Sequence, residues 1–203
     1  MTQAVLAKKE KIRDKINLCV WGDKCAIIRF VYLHVVCLLQ ETEKRMRIIK
    51  ADINDADLVG YVHSTAWKQA YKDIFPMDYL ETDTPEVRVC EFREACRDER
   101  ILYFLLYEDK TAIGIVKVES ERNERCEILS IYILEKYRNK GYGKQFIAYL
   151  KDTFEYKKIY LWVLEENMNA RYFYESEGFC LTGKKREINR GKQFKQLEYM
   201  SVE

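Results

Sequence analysis

The sequence predicts an α/β fold, a central sheet with helices on its faces. Three observations carry this expectation. "ILYFLLY" and "TAIGIVKV" flank the turn residues Glu108–Lys110 and read as a β-hairpin. Amphipathic stretches with apolar residues at helical spacing separate the β-rich runs. The apolar strand pattern "CEILSIYIL" also runs directly into a glycine-containing loop and then a helical pattern.

The elements follow in order. "MRIIKA" from Met46 is a short strand candidate. In "NDADLVGYVHSTAWKQAY", Val59, Val62, His63, Ala66, Trp67 and Ala70 fall on one helical face, with Asn54 or Asp55 as N-cap. "DTPEVRVCEFREAC" has Thr84 as N-cap and Pro85 at the first helical position, with Val89, Phe92 and Cys96 on one side. After the hairpin and the strand at 126–134, Phe146, Ile147, Leu150 and Phe154 mark a helix. "KIYLWVL" at 158–164 is a strand, and "NMNARYFYESEG" is a helix ended by Gly178. "CLTGKKREI" and "FKQLEYM", joined through "NRGK", make a final hairpin.

Composition narrows the function. The 203 residues suit one domain with an appendage, and 48% hydrophobic with 33% charged residues is the balance of a globular chain. A net charge of +2 gives no general pull toward nucleic acid. Residues 1–45 hold nine Lys/Arg against five Asp/Glu, a net of +4, so the rest of the chain is at −2. That first block contains the charged "AKKEKIRDKI" and the apolar run at 25–39, too short for the ~20 residues that span a bilayer. It reads as a helical extension of open role, able to dock on a second copy and form a homodimer, or an incidental addition before Met46. Seven cysteines without a Cys-x-x-Cys pair, and two histidines, argue against zinc. With no secretory signal visible, the reading is of reduced thiols in a cytoplasm.

The chemistry concentrates at "EKYRNKGYGKQF" (135–146), where Lys136, Arg138, Lys140 and Lys144 surround Gly141 and Gly143 just before a helix. The first turn of a helix presents N–H groups without internal partners and partial positive charge, which suits a phosphate. Glycine lets backbone approach an anion and take dihedrals closed to other residues. The loop lacks the Gly-Lys-Ser/Thr ending of a P-loop and the third glycine of a dinucleotide fingerprint.

The stretch "EILSIYILEKYRNKGYGKQFIAYL" resembles the acetyl-CoA-binding segment of the GNAT acetyltransferases, whose loop reads Arg/Gln-x-x-Gly-x-Gly/Ala, here Arg138, Gly141 and Gly143. "NMNARYFYESEGF" is similar to the family's second cofactor segment, with Asn167, Ala170, Tyr174, Gly178 and Phe179 at matching positions. "MRIIKADINDADLVGYVHSTAWKQAYKDIFPMDYL" is similar to the first strand and acceptor-side helices of many members. The resemblance runs from residue 46 to the C-terminus. It implies the GNAT fold: a central mixed, mostly antiparallel sheet flanked by helices, behind the N-terminal helical extension.

It also implies acetyl transfer from acetyl-CoA to a primary amine of a small molecule. A peptide N-terminus is the alternative acceptor, and a non-catalytic CoA-binding module the alternative role. Backbone groups of Ile131, Tyr132 and Ile133, and of Arg138, Asn139, Lys140, Gly141, Tyr142, Gly143 and Lys144, would hold the cofactor, with Asn167 and Ala170 on the second segment. Tyr174 is the candidate general acid toward the leaving thiolate, against a plain reading as a core tyrosine. Glu127 is the candidate general base, against a strand glutamate paired with Arg125. His63, Trp67 and Tyr71, four residues apart, resemble the acceptor-side wall or are buried packing.

Overall fold

The computed structural model describes residues 46–121, 125–154 and 158–201. The block at 1–45, with its expected helix and its expected boundary at Arg45, lies outside the described residues.

Among the described residues, seven strands form one sheet in the order β1-β2-β3-β4-β5-β7-β6. They are β1 (Met46–Lys50), β2 (Ile101–Glu108), β3 (Thr111–Glu121), β4 (Arg125–Ile133), β5 (Lys158–Leu164), β6 (Phe179–Asn189) and β7 (Gln193–Ser201). Only β4 and β5 pair in parallel; every other neighbouring pair is antiparallel. A parallel pair needs a crossover, supplied here by the helix between the two strands. The expected mixed, mostly antiparallel sheet is the sheet observed.

Among the described residues five helices flank it: α1 (Ala56–Tyr71), α2 (Met77–Glu81), α3 (Pro85–Ala95), α4 (Tyr142–Phe154) and α5 (Met168–Ser176). α1 is entered through a 3-10 turn at Ile53–Asp55. Asp55, one of the two expected residues, is the N-cap of α1 but makes no side-chain cap bond; the capping box belongs to the 3-10 turn, where the Asp52 carboxylate accepts from Asn54 N (2.8 Å) and Asp55 accepts from Asp52 N (2.9 Å). This reciprocal box satisfies donors the first turn would leave free, and the preceding 3-10 turn moves it upstream. At α3, Thr84 Oγ1 accepts from Val87 N with Pro85 at N1, as the sequence predicts.

The sheet's two faces carry different cores. On one, Phe146, Ile147 and Leu150 of α4 pack with Cys126, Ile128, Ile159, Leu161, Tyr174 and Phe179. On the other, Val59 and Val62 of α1 and Phe92 of α3 pack on Tyr103, Leu105 and Ile115. Each fully buried side chain of this size contributes about 1.5–3 kcal/mol. A third, aromatic cluster joins Trp67, Phe75, Leu80, Leu164 and Phe194. The sheet is thereby covered on both faces.

Candidate active site

The parting of β4 and β5 defines the site. Their ladder runs from Arg125/Lys158 to Ile128/Leu161 and stops there. At that point β4 carries a bulge: Lys117 faces Ser130 and Val118 faces Ile128, leaving Leu129 as the extra residue. A bulge bends its strand. β4 then continues against β3 as far as Gly114/Ile133, while β5 continues against β7 through Trp162/Glu198 and Leu164/Gln196. The peptide groups of Ile131, Tyr132 and Ile133 that point toward β5 therefore face an opened ladder. Unpaired strand backbone of this kind is a template for an extended ligand chain.

β4 leads into the loop. A 3-10 turn at Glu135–Tyr137 is followed by Arg138, Asn139 with φ +60°, and Gly141 with φ +82°. The first helical bond of α4 runs from Gln145 N to Gly141 O (3.0 Å), so the amides of Tyr142, Gly143 and Lys144 precede the intrahelical ladder. These three amides and the positive end of α4 could hold an anion at that end of the slot.

The two glycines have separate reasons. Gly141 adopts the left-handed region, and a Cβ there would meet nothing closer than 4.0 Å. Gly143 has no such dihedral; a Cβ on it would lie 2.8 Å from Cζ of Phe173. The expectation of shared conformational freedom thus holds at Gly141, and at Gly143 gives way to close packing of α4 on α5. Tyr142 is buried between them and its hydroxyl donates to the Glu108 carboxylate at the end of β2.

The loop's cations divide. Lys136 and Lys140 each place Nζ 4.9 Å from the Tyr137 ring centre. Lys144 Nζ lies 3.7 Å from Glu177. Arg138 is turned to main-chain carbonyls: Nε donates to Ile133 O (2.9 Å), and the two terminal nitrogens donate to Gln69 O and Ala66 O (3.3 Å each). Its own N–H donates to Glu135 O. Asn167 caps α5 from outside, its Oδ1 accepting from Ala170 N (3.1 Å), while half-buried Ala170 packs on the main core.

Tyr132 is where the predicted groups meet. His63 stacks on its ring at 5.4 Å, and the Tyr71 hydroxyl lies 3.5 Å from its hydroxyl. Trp67 and Tyr71 are ring neighbours at 5.4 Å, with Trp67 buried in the aromatic cluster. Tyr174 is buried against Phe173 and Phe179. Burial, and then the nearby Tyr71, push its phenol well above the ordinary tyrosine range. Tyr132 is pushed up in the same way, by burial and then by Tyr71, and feels Tyr174 as well. All three phenols are protonated at neutral pH.

His63 is pushed down to about 3, first by burial and then by Arg88, so its imidazole is neutral. Glu127 faces Glu119 across β3 and Tyr160 across β5, with Arg125 at 3.8 Å. Burial raises its carboxyl; Arg186 and Arg125 pull it back. Ser130, next on the same face, has a buried hydroxyl without a hydrogen-bond partner among the described residues.

Sequence reasoning passed over the charged network beside His63. Arg88 pairs with Asp83 and Glu91, and Glu91 also takes Lys117 at 2.7 Å. The one available signal was Lys117, a lone charge in the apolar "TAIGIVKV" strand. Among the described residues no group of three His, Cys, Asp or Glu side chains is placed to hold a metal. No described helix is long and apolar enough to cross a membrane.

Comparison with known proteins agrees with this geometry. The sequence model of the acetyltransferase (GNAT) family matches residues 64–179, more than half of the chain. A spermidine N(1)-acetyltransferase of Thermoplasma acidophilum is 27% identical over 142 residues, spanning 66% of this chain and 88% of that one. A spermine/spermidine N(1)-acetyltransferase of Bacillus subtilis is 33% identical over 69 residues, 32% of this chain and 45% of that protein. The crystal structure of the PaiA N-acetyltransferase of Thermoplasma acidophilum with coenzyme A superposes with TM-score 0.60 at 22% identity, over 78% of this chain and 99% of that one.

The chain belongs to the GNAT acetyltransferase family. It is an acetyl-CoA-dependent N-acetyltransferase, and its opened strand, left-handed glycine and free helix amides fit the pantetheine and diphosphate of that co-substrate.

Proposed function

We propose that the chain acetylates a primary amine of a small molecule by direct attack on acetyl-CoA, with spermidine as the first acceptor to test. The observation that carries this reading is the meeting at Tyr132 of the opened cofactor strand and the α1 wall, with Tyr174 within electrostatic reach. Two relatives named for spermidine acetylation support the acceptor class.

The residues take these roles. The amides of Tyr142, Gly143 and Lys144 hold the diphosphate, with Lys140 and Lys144 adding charge. Backbone of Ile131, Tyr132 and Ile133 orients the acyl arm and offers N–H dipoles to the developing oxyanion. Glu127, raised by burial, draws the proton from the incoming ammonium. Tyr174, a protonated phenol in a dry setting, donates to the departing thiolate. His63, Trp67 and Tyr71 wall the acceptor side. His63 acts there as a neutral ring rather than a base, because its burial disfavours the imidazolium.

Thiol release from acetyl-CoA over a panel of spermidine, spermine, simple diamines and an N-terminal peptide, with product masses recorded, tests this. Turnover on the small amines and none on the peptide is expected. Release only with the peptide overturns the acceptor class. Tight CoA binding without release for any amine overturns catalysis in favour of a CoA-binding module.

A further inference from the structure

The side chain of Arg138 stands at the centre of a set of ties that the family motif does not explain. It lies in the cofactor loop, yet among the described residues its side chain donates to protein carbonyls: Ile133 O at the end of β4, and Ala66 O and Gln69 O in the last turns of α1. Two further links join the same two segments. Gln69 Oε1 accepts from Glu135 N (2.7 Å), and Lys72 Nζ pairs with Glu135 Oε1 (2.8 Å). Four contacts therefore fasten residues 133–138 to residues 66–72, and the bond to Ile133 O ties Arg138 to the end of β4.

The chemistry favours this arrangement over a phosphate contact. Gln69 O is among the last four carbonyls of α1, which lack intrahelical partners, and the helix carries partial negative charge at that end; Ala66 O lies about one turn further in. A planar guanidinium with several donors in a fixed fork serves two carbonyls of one helix and a third on a strand. α1 is also the helix whose His63 and Tyr71 touch Tyr132.

We infer that Arg138 is a positioning residue that couples the cofactor loop to the acceptor-side helix: its side chain sets the last turn of α1, and loop order imposed by the diphosphate passes through it to Trp67 and Tyr71. The inference rests on the acetyl-CoA reading of the loop. Binding that orders one segment lowers the remaining freedom of what is fastened to it, and this is how one site is linked to another without a large rearrangement.

Hydrogen exchange with coenzyme A as the probe tests it on the full chain. In the native protein, CoA is expected to slow amide exchange in peptides covering 138–145 and also 63–72. In Arg138→Ala held at saturating CoA, protection is expected at 138–145, with protection at 63–72 lost. Arg138→Lys keeps the charge and loses the fork, so it is expected to behave like the alanine variant, and it takes that variant's place if alanine prevents folding. CoA bound to the native protein with no slowing at 63–72 overturns the inference, as does protection there that survives both substitutions. Affinity that drops tenfold or more in the alanine variant and is restored by lysine makes Arg138 a phosphate ligand instead. A native protein that binds no CoA at all contradicts the acetyl-CoA reading itself, and is a separate result.

Discussion

Gly143 of α4 lies directly on the ring of Phe173 in α5, at a separation that leaves no room for a Cβ: that atom would sit 2.8 Å from the ring's Cζ. The start of α4 and helix α5 thus pack through a close glycine–aromatic contact, while Gly141 two residues earlier takes a left-handed dihedral.

The two glycines should fail differently. Gly143→Ala is expected to weaken coenzyme A binding about tenfold or more, and Phe173→Leu in the same chain to restore much of it, because the smaller side chain gives way. Gly141→Ala forces a left-handed residue, a cost of about 1–2 kcal/mol, and Phe173→Leu should not help it. Gly141→Asn should be milder than alanine, since asparagine tolerates that region. Calorimetric affinities for the variants and the double variant check all of this.

The architecture was legible in the sequence wherever a local pattern decided it. The Thr84-Pro85 cap, the hairpin about Glu108–Lys110 and the strand at 158–164 stand where the residues predict. The site was legible in part. Gly141 could be read because only glycine accommodates that turn readily, whereas the reason for Gly143 lies 30 residues away in Phe173. The sequence shows Arg138 only as one of the loop's cations; the carbonyls its side chain meets, at Ala66 and Gln69, come from α1. The separation of β4 from β5 depends on a register shift opposite Lys117, which no one-dimensional pattern marks.

Tyr174→Phe keeps the packing against Phe173 and Phe179 and removes the hydroxyl. It should lower kcat about 10²-fold, the usual size of a lost general acid, with the affinity for acetyl-CoA unchanged. Steady-state rates beside a binding titration separate the two terms. Undiminished kcat would make Tyr174 a core tyrosine only.

Glu127 has a carboxyl raised by burial and drawn back by Arg186 and Arg125. As the base it must be ionised, so kcat/KM should climb with pH through its titration. Glu127→Gln should lose that limb and fall about 10²-fold. A pH–rate profile of unaltered shape in the glutamine variant removes Glu127 from the mechanism.

Acid stability follows from the network beside His63. The imidazole is pushed down to about 3 in the fold against 6.5 when free, so the unfolded chain takes up this proton first. Stability from the neutral ring is complete above pH 6.5 and is lost as pH falls toward 3. Glu91 is raised by burial and lowered more by Lys117 and Arg88, to about 2, so its contribution fades from 4.5 downward. Urea midpoints at pH 7 and pH 5 isolate the histidine. The native midpoint should drop between them, and His63→Phe should show little of that drop. An equal drop in both proteins would place the acid sensitivity elsewhere.

The central claim is that the opened β4–β5 ladder and the Gly141–Lys144 amides hold a coenzyme A thioester. Titration of coenzyme A into the purified protein by calorimetry addresses it most directly. One saturable site per chain, weakened by salt and by Gly143→Ala, is the predicted result. No saturable heat at millimolar coenzyme A, or equal binding by the Gly143→Ala variant, would contradict it.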